Sequence, residues 1–100
     1  MMPLRIERTR AARNDLFDIW DYVSPNSLKG ATRVVREIYA AFAMLADQPM
    51  AGRDRSDLGP ELRSFPVAGY MVFYRQDAST LSIIRILHAA RDITPDLLSE

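Results

Sequence analysis

Apolar residues recur with helical spacing in the first half of the chain and with strand-like alternation in the second. Ala12, Leu16, Ile19, Trp20 and Val23 form one i, i+4, i+7 stripe, which predicts an amphipathic helix with Thr9 as its N-cap. Asn14, Asp15, Asp18 and Asp21 fall outside that stripe and are expected to face water. Ser24-Pro25-Asn26-Ser27 ends the helix, because proline biases its predecessor away from helical geometry, and Asn26 or Ser27 can cap the next one. A second helix is predicted from Leu28 to Asp47, stopped before Pro49. Its buried stripe is Ala31, Val34, Val35, Ile38, Phe42 and Leu45, and its wet side carries Arg33, Arg36 and Glu37.

Strand signals flank this helical hairpin. Leu4 to Glu7 reads as a short first strand. After a polar, turn-rich loop from Pro49 to Pro60, three more follow at Glu61 to Phe65, Tyr70 to Arg75 and Leu81 to Leu87. Thr94-Pro95 opens a short helical turn within Ile93 to Leu98. The order β-α-α-β-β-β predicts an α+β fold, with the hairpin on one face of a small, mainly antiparallel sheet. Alternation on the last strand puts Ile84, Ile86 and His88 on one side and Ile83, Arg85 and Leu87 on the other. Arginine is unsuited to a helix-covered core, so Arg85 is expected on an open face with Ile83 and Leu87 beside it. Such a mixed face suits a surface that another chain covers.

One hundred residues make one domain, 1–100, with one site or one interface. The absence of cysteine removes disulfides, thiolate metal sites and a thiol nucleophile. No secretory h-region opens the chain, and the apolar run from Tyr39 to Ala46 is too short for a bilayer, so the cytoplasm is the expected location and no membrane partner is expected. Thirteen basic residues balance thirteen acidic ones; any basic surface must be local. No metal cluster, phosphate-binding glycine loop or Ser/His/Asp arrangement occurs in the sequence, which leaves no cofactor expected.

Four segments together resemble a known family. They are Ala12-x-x-Asp15-Leu16-x-x-Ile19-x-x-Tyr22, Phe42-x-x-Leu45-Ala46-x-x-Pro49-x-x-Gly52-Arg53, Leu62-Arg63-Ser64-Phe65-Pro66-Val67-x-Gly69-Tyr70-x-Val72-Phe73-Tyr74-Arg75 and Ile84-Arg85-Ile86-Leu87-His88-x-x-Arg91-Asp92. In this order they resemble the ParE branch of the RelE/ParE toxin superfamily of type II toxin-antitoxin modules, over nearly the whole chain. The resemblance implies a protein that binds and traps DNA gyrase, and a ParD-like antitoxin whose flexible carboxyl-terminal half wraps the toxin in a hetero-oligomer. DNA would be met only indirectly, through the antitoxin's amino-terminal half. The alternative within the superfamily is a RelE-like, ribosome-dependent mRNA endonuclease.

Candidate site residues follow from these two readings. Arg63, Arg75, Arg85 and Arg91 are expected to grip target carboxylates, or phosphates in an endonuclease. Plain surface ion pairing, such as Arg91 with Asp92 or Asp96, is the simpler role. His88 is the only histidine; with Arg85 and with Glu61 or Asp57 it could activate an RNA 2'-hydroxyl, or it simply ends a strand with one structural hydrogen bond. The resemblance implies that ribonuclease members carry a basic sheet face, with lysines beside arginines, and often a carboxyl-terminal tyrosine or histidine. Here lysine occurs only at position 29, on a helix, and no tyrosine follows Tyr74, which favours the gyrase reading. Leu16, Trp20, Phe42, Ile83 and Leu87 are the expected antitoxin contacts, although Trp20 reads most simply as core. Tyr70, Phe73 and Tyr74 are expected to pack the sheet.

Overall fold

A computed structural model describes residues 2–99. The chain runs β1 (Arg5–Arg8), α1 (Arg10–Val23), α2 (Leu28–Asp47), a 3-10 turn (Pro49–Ala51), β2 (Arg53–Asp54), β3 (Arg63–Val67), β4 (Tyr70–Gln76), β5 (Thr80–His88) and a second 3-10 turn (Pro95–Leu98). The strands form one sheet in the order β1-β5-β4-β3-β2. Among the described residues its only parallel pair is β1 with β5, and the other three pairs are antiparallel, in keeping with the mainly antiparallel sheet that the sequence predicts.

Local chemistry fixes the joints. The Thr9 hydroxyl accepts from the Ala12 amide at 3.0 Å and donates to the Ile84 carbonyl at 2.7 Å, so the cap that starts α1 also fastens it to β5. Ser27, not Asn26, caps α2 by accepting from the Gly30 amide at 2.9 Å. The β3–β4 connection has two central residues, Ala68 and Gly69, with φ of 54° and 84°; this is the positive-φ geometry of a type I′ hairpin. At the β4–β5 turn, Asp77 Oδ1 accepts from the amides of Ser79 and Thr80, each at 2.9 Å.

Helices α1 and α2 cover one sheet face, with Ala12, Leu16, Ile19, Ile38, Phe42 and Leu45 packed on Val72, Tyr74, Leu81, Ile83 and Ile86. The opposite face was expected to be open. Leu62, Phe73, Ile84, Leu87 and Leu98 instead form a second buried cluster there, flanked by Leu58, Ile93 and Leu97. The chain covers its own sheet on both sides.

Simple alternation on β5 fails at one residue. Phe73 pairs with Arg85 but Tyr74 pairs with Ile83, so Ile84 is the extra residue of a β-bulge. Side-chain parity reverses across it, which sends Ile83 and Ile86 to the helix side and Ile84 and Leu87 to the other. The expected exposed trio of Ile83, Arg85 and Leu87 does not exist, for Ile83 and Leu87 are both buried.

Two boundaries also differ. The loop from Pro49 to Pro60 contains the first 3-10 turn and β2, and β3 begins at Arg63 instead of Glu61. Glu61 has φ of 58°, outside strand geometry, while Pro66 is tolerated because β2 pairs only with residues 63 and 64, leaving no partner there for the missing amide. No helix among the described residues is long and apolar enough to cross a membrane.

Candidate functional site

Three regions hold the residues that the sequence singles out. The first is internal. Asp15 and Arg85 meet in a two-pronged pair, Nε to Oδ2 at 2.7 Å and Nη2 to Oδ1 at 2.8 Å. Asp15 also accepts from the Ile86 amide at 3.0 Å, and Arg85 Nη1 donates to the Leu97 carbonyl at 2.9 Å. Asp15 is therefore buried, not turned to water, because it neutralises Arg85 beside the bulge. The hydrogen bond from Arg85 to Asp15 pushes the guanidinium pKa further up against the effect of burial. Arg85 is a structural tie between α1, β5 and the carboxyl-terminal turn.

The second region lies around the 49–62 segment. The buried Tyr74 hydroxyl donates to the Pro49 carbonyl at 2.7 Å and accepts from the Gly52 amide at 2.9 Å. A Cβ on Gly52 would fall 2.2 Å from that hydroxyl oxygen, so the ring can approach only because residue 52 is glycine. Burial raises the Tyr74 pKa, with the Gly52 amide partly opposing it. Arg63 and Arg75 donate to the carbonyls of Gly52 (2.8 Å) and Pro60 (2.9 Å), holding the same segment. Beside them a cavity of about 350 Å³ is lined by Asp54, Ser56, Glu61, Arg63 and Gln76.

His88 lies elsewhere. It is exposed, stacks edge-on against Tyr70 with ring centroids 5.5 Å apart, and its Nδ1 accepts from the Ala90 amide at 3.2 Å. His88 and Arg91 border a shallow pocket with Asp15, Asp18 and Tyr70. Glu61 shares its cavity with Gln76, the last residue of β4, whereas His88 pairs with Tyr70, the first. Six residues of strand, about 20 Å at ~3.3 Å each, separate the two ends. Asp57 is engaged by Arg55 at 3.1 and 3.2 Å. The structure thus does not assemble His88 with Arg85, Glu61 or Asp57 as an acid-base set.

The third region is the outer surface of the helical hairpin. Leu16, Phe17 and Trp20 of α1 and Val35 and Tyr39 of α2 line an apolar groove of about 470 Å³, bordered by Arg8 and Arg13. Phe17 is 70% exposed, Tyr39 45% and Trp20 37%, which is unusual for three aromatic side chains sharing one groove. Arg8 Nη1 donates to the Tyr39 hydroxyl at 2.7 Å with its guanidinium 5.7 Å from the ring centroid, and Arg13 Nη1 donates to the Arg8 carbonyl at 2.6 Å. Two cations are thus held in place at the rim. Of the expected antitoxin contacts, only Trp20 is exposed here. Leu16 shows a small remaining edge, while Phe42, Ile83 and Leu87 are core residues with no surface to offer. Phe17 and Tyr39 escaped the sequence reading, yet their signal is visible: each is an aromatic side chain off the buried stripe of its helix.

Among the described residues, no group of three or more His, Asp or Glu side chains could hold a metal ion.

Residues 6–93 match the family described as the ParE toxin of the type II toxin-antitoxin system parDE. The chain belongs to the ParE toxin family. It is 36% identical to Toxin ParE3 of Caulobacter vibrioides over 94 residues, 93% of this chain and 94% of that one. Toxin ParE1 of the same organism is 34% identical over 89 residues, 88% of this chain and 90% of its own. In fold it resembles the chromosomal ParDE toxin-antitoxin system from P. aeruginosa, with a TM-score of 0.71 and 24% identity, covering 85% of this chain and 95% of that one. It also resembles the toxin-antitoxin complex RelBE2 from Mycobacterium tuberculosis, with a TM-score of 0.63 and 24% identity over 91% of this chain and 97% of the other. This ParE-family toxin therefore carries the RelE/ParE fold, and the Asp15, Gly52 and Arg85 positions of its sequence pattern have structural explanations.

Proposed function

We propose that this ParE-type toxin acts by binding DNA gyrase, and that a ParD-like antitoxin neutralises it by docking in the groove between α1 and α2. The groove is the observation that carries the reading. It exposes Phe17, Trp20 and Tyr39 between two oriented arginines, which suits an amphipathic segment presenting aliphatic anchors and carboxylates. Burying such aromatic anchors gains about 25 cal/mol per Å² of apolar area removed from water. Arg8 and Arg13 at the rim would favour acidic partners and fix the register.

The choice of binding over RNA cleavage rests on the dispersal of the acid-base residues. Arg85 is occupied by Asp15 and Leu97, and His88 lies at the far end of β4 from Glu61. General acid-base catalysis requires both groups within hydrogen-bond reach of one substrate. Arg63, Arg75 and Arg91 remain candidates for gyrase contact through their outer faces, with Arg85 supporting them from within.

Titrating the folded toxin with the carboxyl-terminal half of its co-encoded antitoxin tests the groove. Phe17→Ser and Trp20→Ser should each weaken binding by roughly tenfold or more, the scale of an interface anchor. If both variants bind as tightly as the parent, the antitoxin docks elsewhere.

A further inference from the structure

The overall charge balance conceals one strongly biased surface. Between Leu28 and Arg36, α2 carries Lys29, Arg33 and Arg36 and no acidic residue. All three cations are exposed, and with Leu28 and Thr32 they border a shallow depression on the outer flank of the helix. None of them forms an ion pair among the described residues, and Glu37, one turn beyond Arg33, is not bonded to it. The first turn of α2 also lacks the acidic side chain that would offset its positive end, which leaves Glu37 as the one carboxylate of α2 beside the stripe.

We propose that this flank of α2 binds the phosphate backbone of a nucleic-acid duplex. Seven residues at ~1.5 Å rise place Lys29 and Arg36 about 10 Å apart along the helix axis, with Arg33 between them. One strand of a duplex carries a charge every ~3.4 Å of its axis, so three successive phosphates cover about 7 Å of it, a length that three cations spread over about 10 Å can reach along their flexible side chains. Arginine offers a planar fork to each phosphate, and lysine a point charge. A contact made to phosphates alone is independent of sequence. It shares no lining residue with the antitoxin groove, whose arginines are Arg8 and Arg13, and does not depend on which protein the toxin targets.

Fluorescence anisotropy of the full chain with a labelled duplex of mixed sequence, once in DNA and once in RNA, tests the proposal. Three neutralised phosphates predict that log K falls with log salt at a slope of about −2.7, a loss of roughly forty-fold between ~50 and ~200 mM. Lys29→Gln/Arg33→Gln/Arg36→Gln, with an unchanged melting curve, should abolish binding. Arg5→Gln/Arg10→Gln/Arg53→Gln, which removes the same charge elsewhere, should retain it. Binding to either duplex or both supports the proposal and names the nucleic acid. It is overturned if neither duplex binds at ~50 mM salt or if the two triple variants behave alike. It is also overturned if polyglutamate of matched charge binds at least as tightly, which would mark the flank as a surface for an acidic protein.

Discussion

Asp15 and Arg85, seventy residues apart in sequence, form a bidentate ion pair that joins the first helix to the last strand. Their side chains are only 8% and 18% exposed, so water does little to screen or replace the interaction. Removing one member strands the other as a buried, unpaired charge. Arg85→Ala and Asp15→Ala should each destabilise the fold by about 3–5 kcal/mol. Urea unfolding checks this, and an unchanged midpoint for Arg85→Ala would show that the arginine is free for other work. Any loss of toxicity in Arg85 variants is expected to follow loss of fold.

A second pair, Tyr74 and Gly52, makes a distinct prediction. Tyr74→Phe leaves the Gly52 amide and the Pro49 carbonyl without their partner and should cost about 1–3 kcal/mol. Gly52→Ala should destabilise too, by overpacking against the ring. Combining them should give little relief, because the added Cβ would still stand 2.7 and 2.8 Å from ring carbons of residue 74. Thermal melts of the three variants distinguish this from simple loss of a hydrogen bond.

The hairpin turn offers a gain. Ala68 occupies the left-handed region with φ of 54°, where a Cβ is unfavourable and asparagine is better tolerated. Ala68→Asn should stabilise the protein by about 0.5–1 kcal/mol, read as a higher urea midpoint with unchanged slope.

Acid should loosen the β4–β5 turn. The amides of Ser79 and Thr80 hold the Asp77 carboxyl below its usual 3.8. A depressed folded-state value means the contribution is fully present above about pH 4 and fades as pH falls through the folded value. Asp77→Asn should therefore flatten the pH dependence of stability below pH ~4 and remove the carboxylate's contribution near neutrality.

The helical hairpin was legible because long amphipathic stripes and caps are local signals; Thr9 caps α1 as expected. The facing of the β5 residues was not. One inserted residue at Ile84 reverses every inward and outward assignment around it, and alternation alone contains no mark of a bulge. Asp15 was misread for a related reason: a carboxylate off the apolar stripe looks solvated until its partner, from a distant strand, arrives beside it. Gly52 could be recognised as part of a pattern, but its reason, the approach of the Tyr74 hydroxyl, is a contact across 22 residues. Trp20 was among the expected antitoxin contacts and lines the groove, while Phe17 and Tyr39, aromatic side chains off the buried stripes, were not expected there.

The central claim, that the toxin works by binding gyrase and not by cutting RNA, is tested most directly with purified toxin, gyrase, supercoiled plasmid and ATP. Linear DNA should accumulate once the protein is denatured, and prior addition of antitoxin should prevent it. Under the same conditions, ribosome-bound mRNA should remain intact. Cleaved mRNA together with undisturbed gyrase supercoiling would contradict the account.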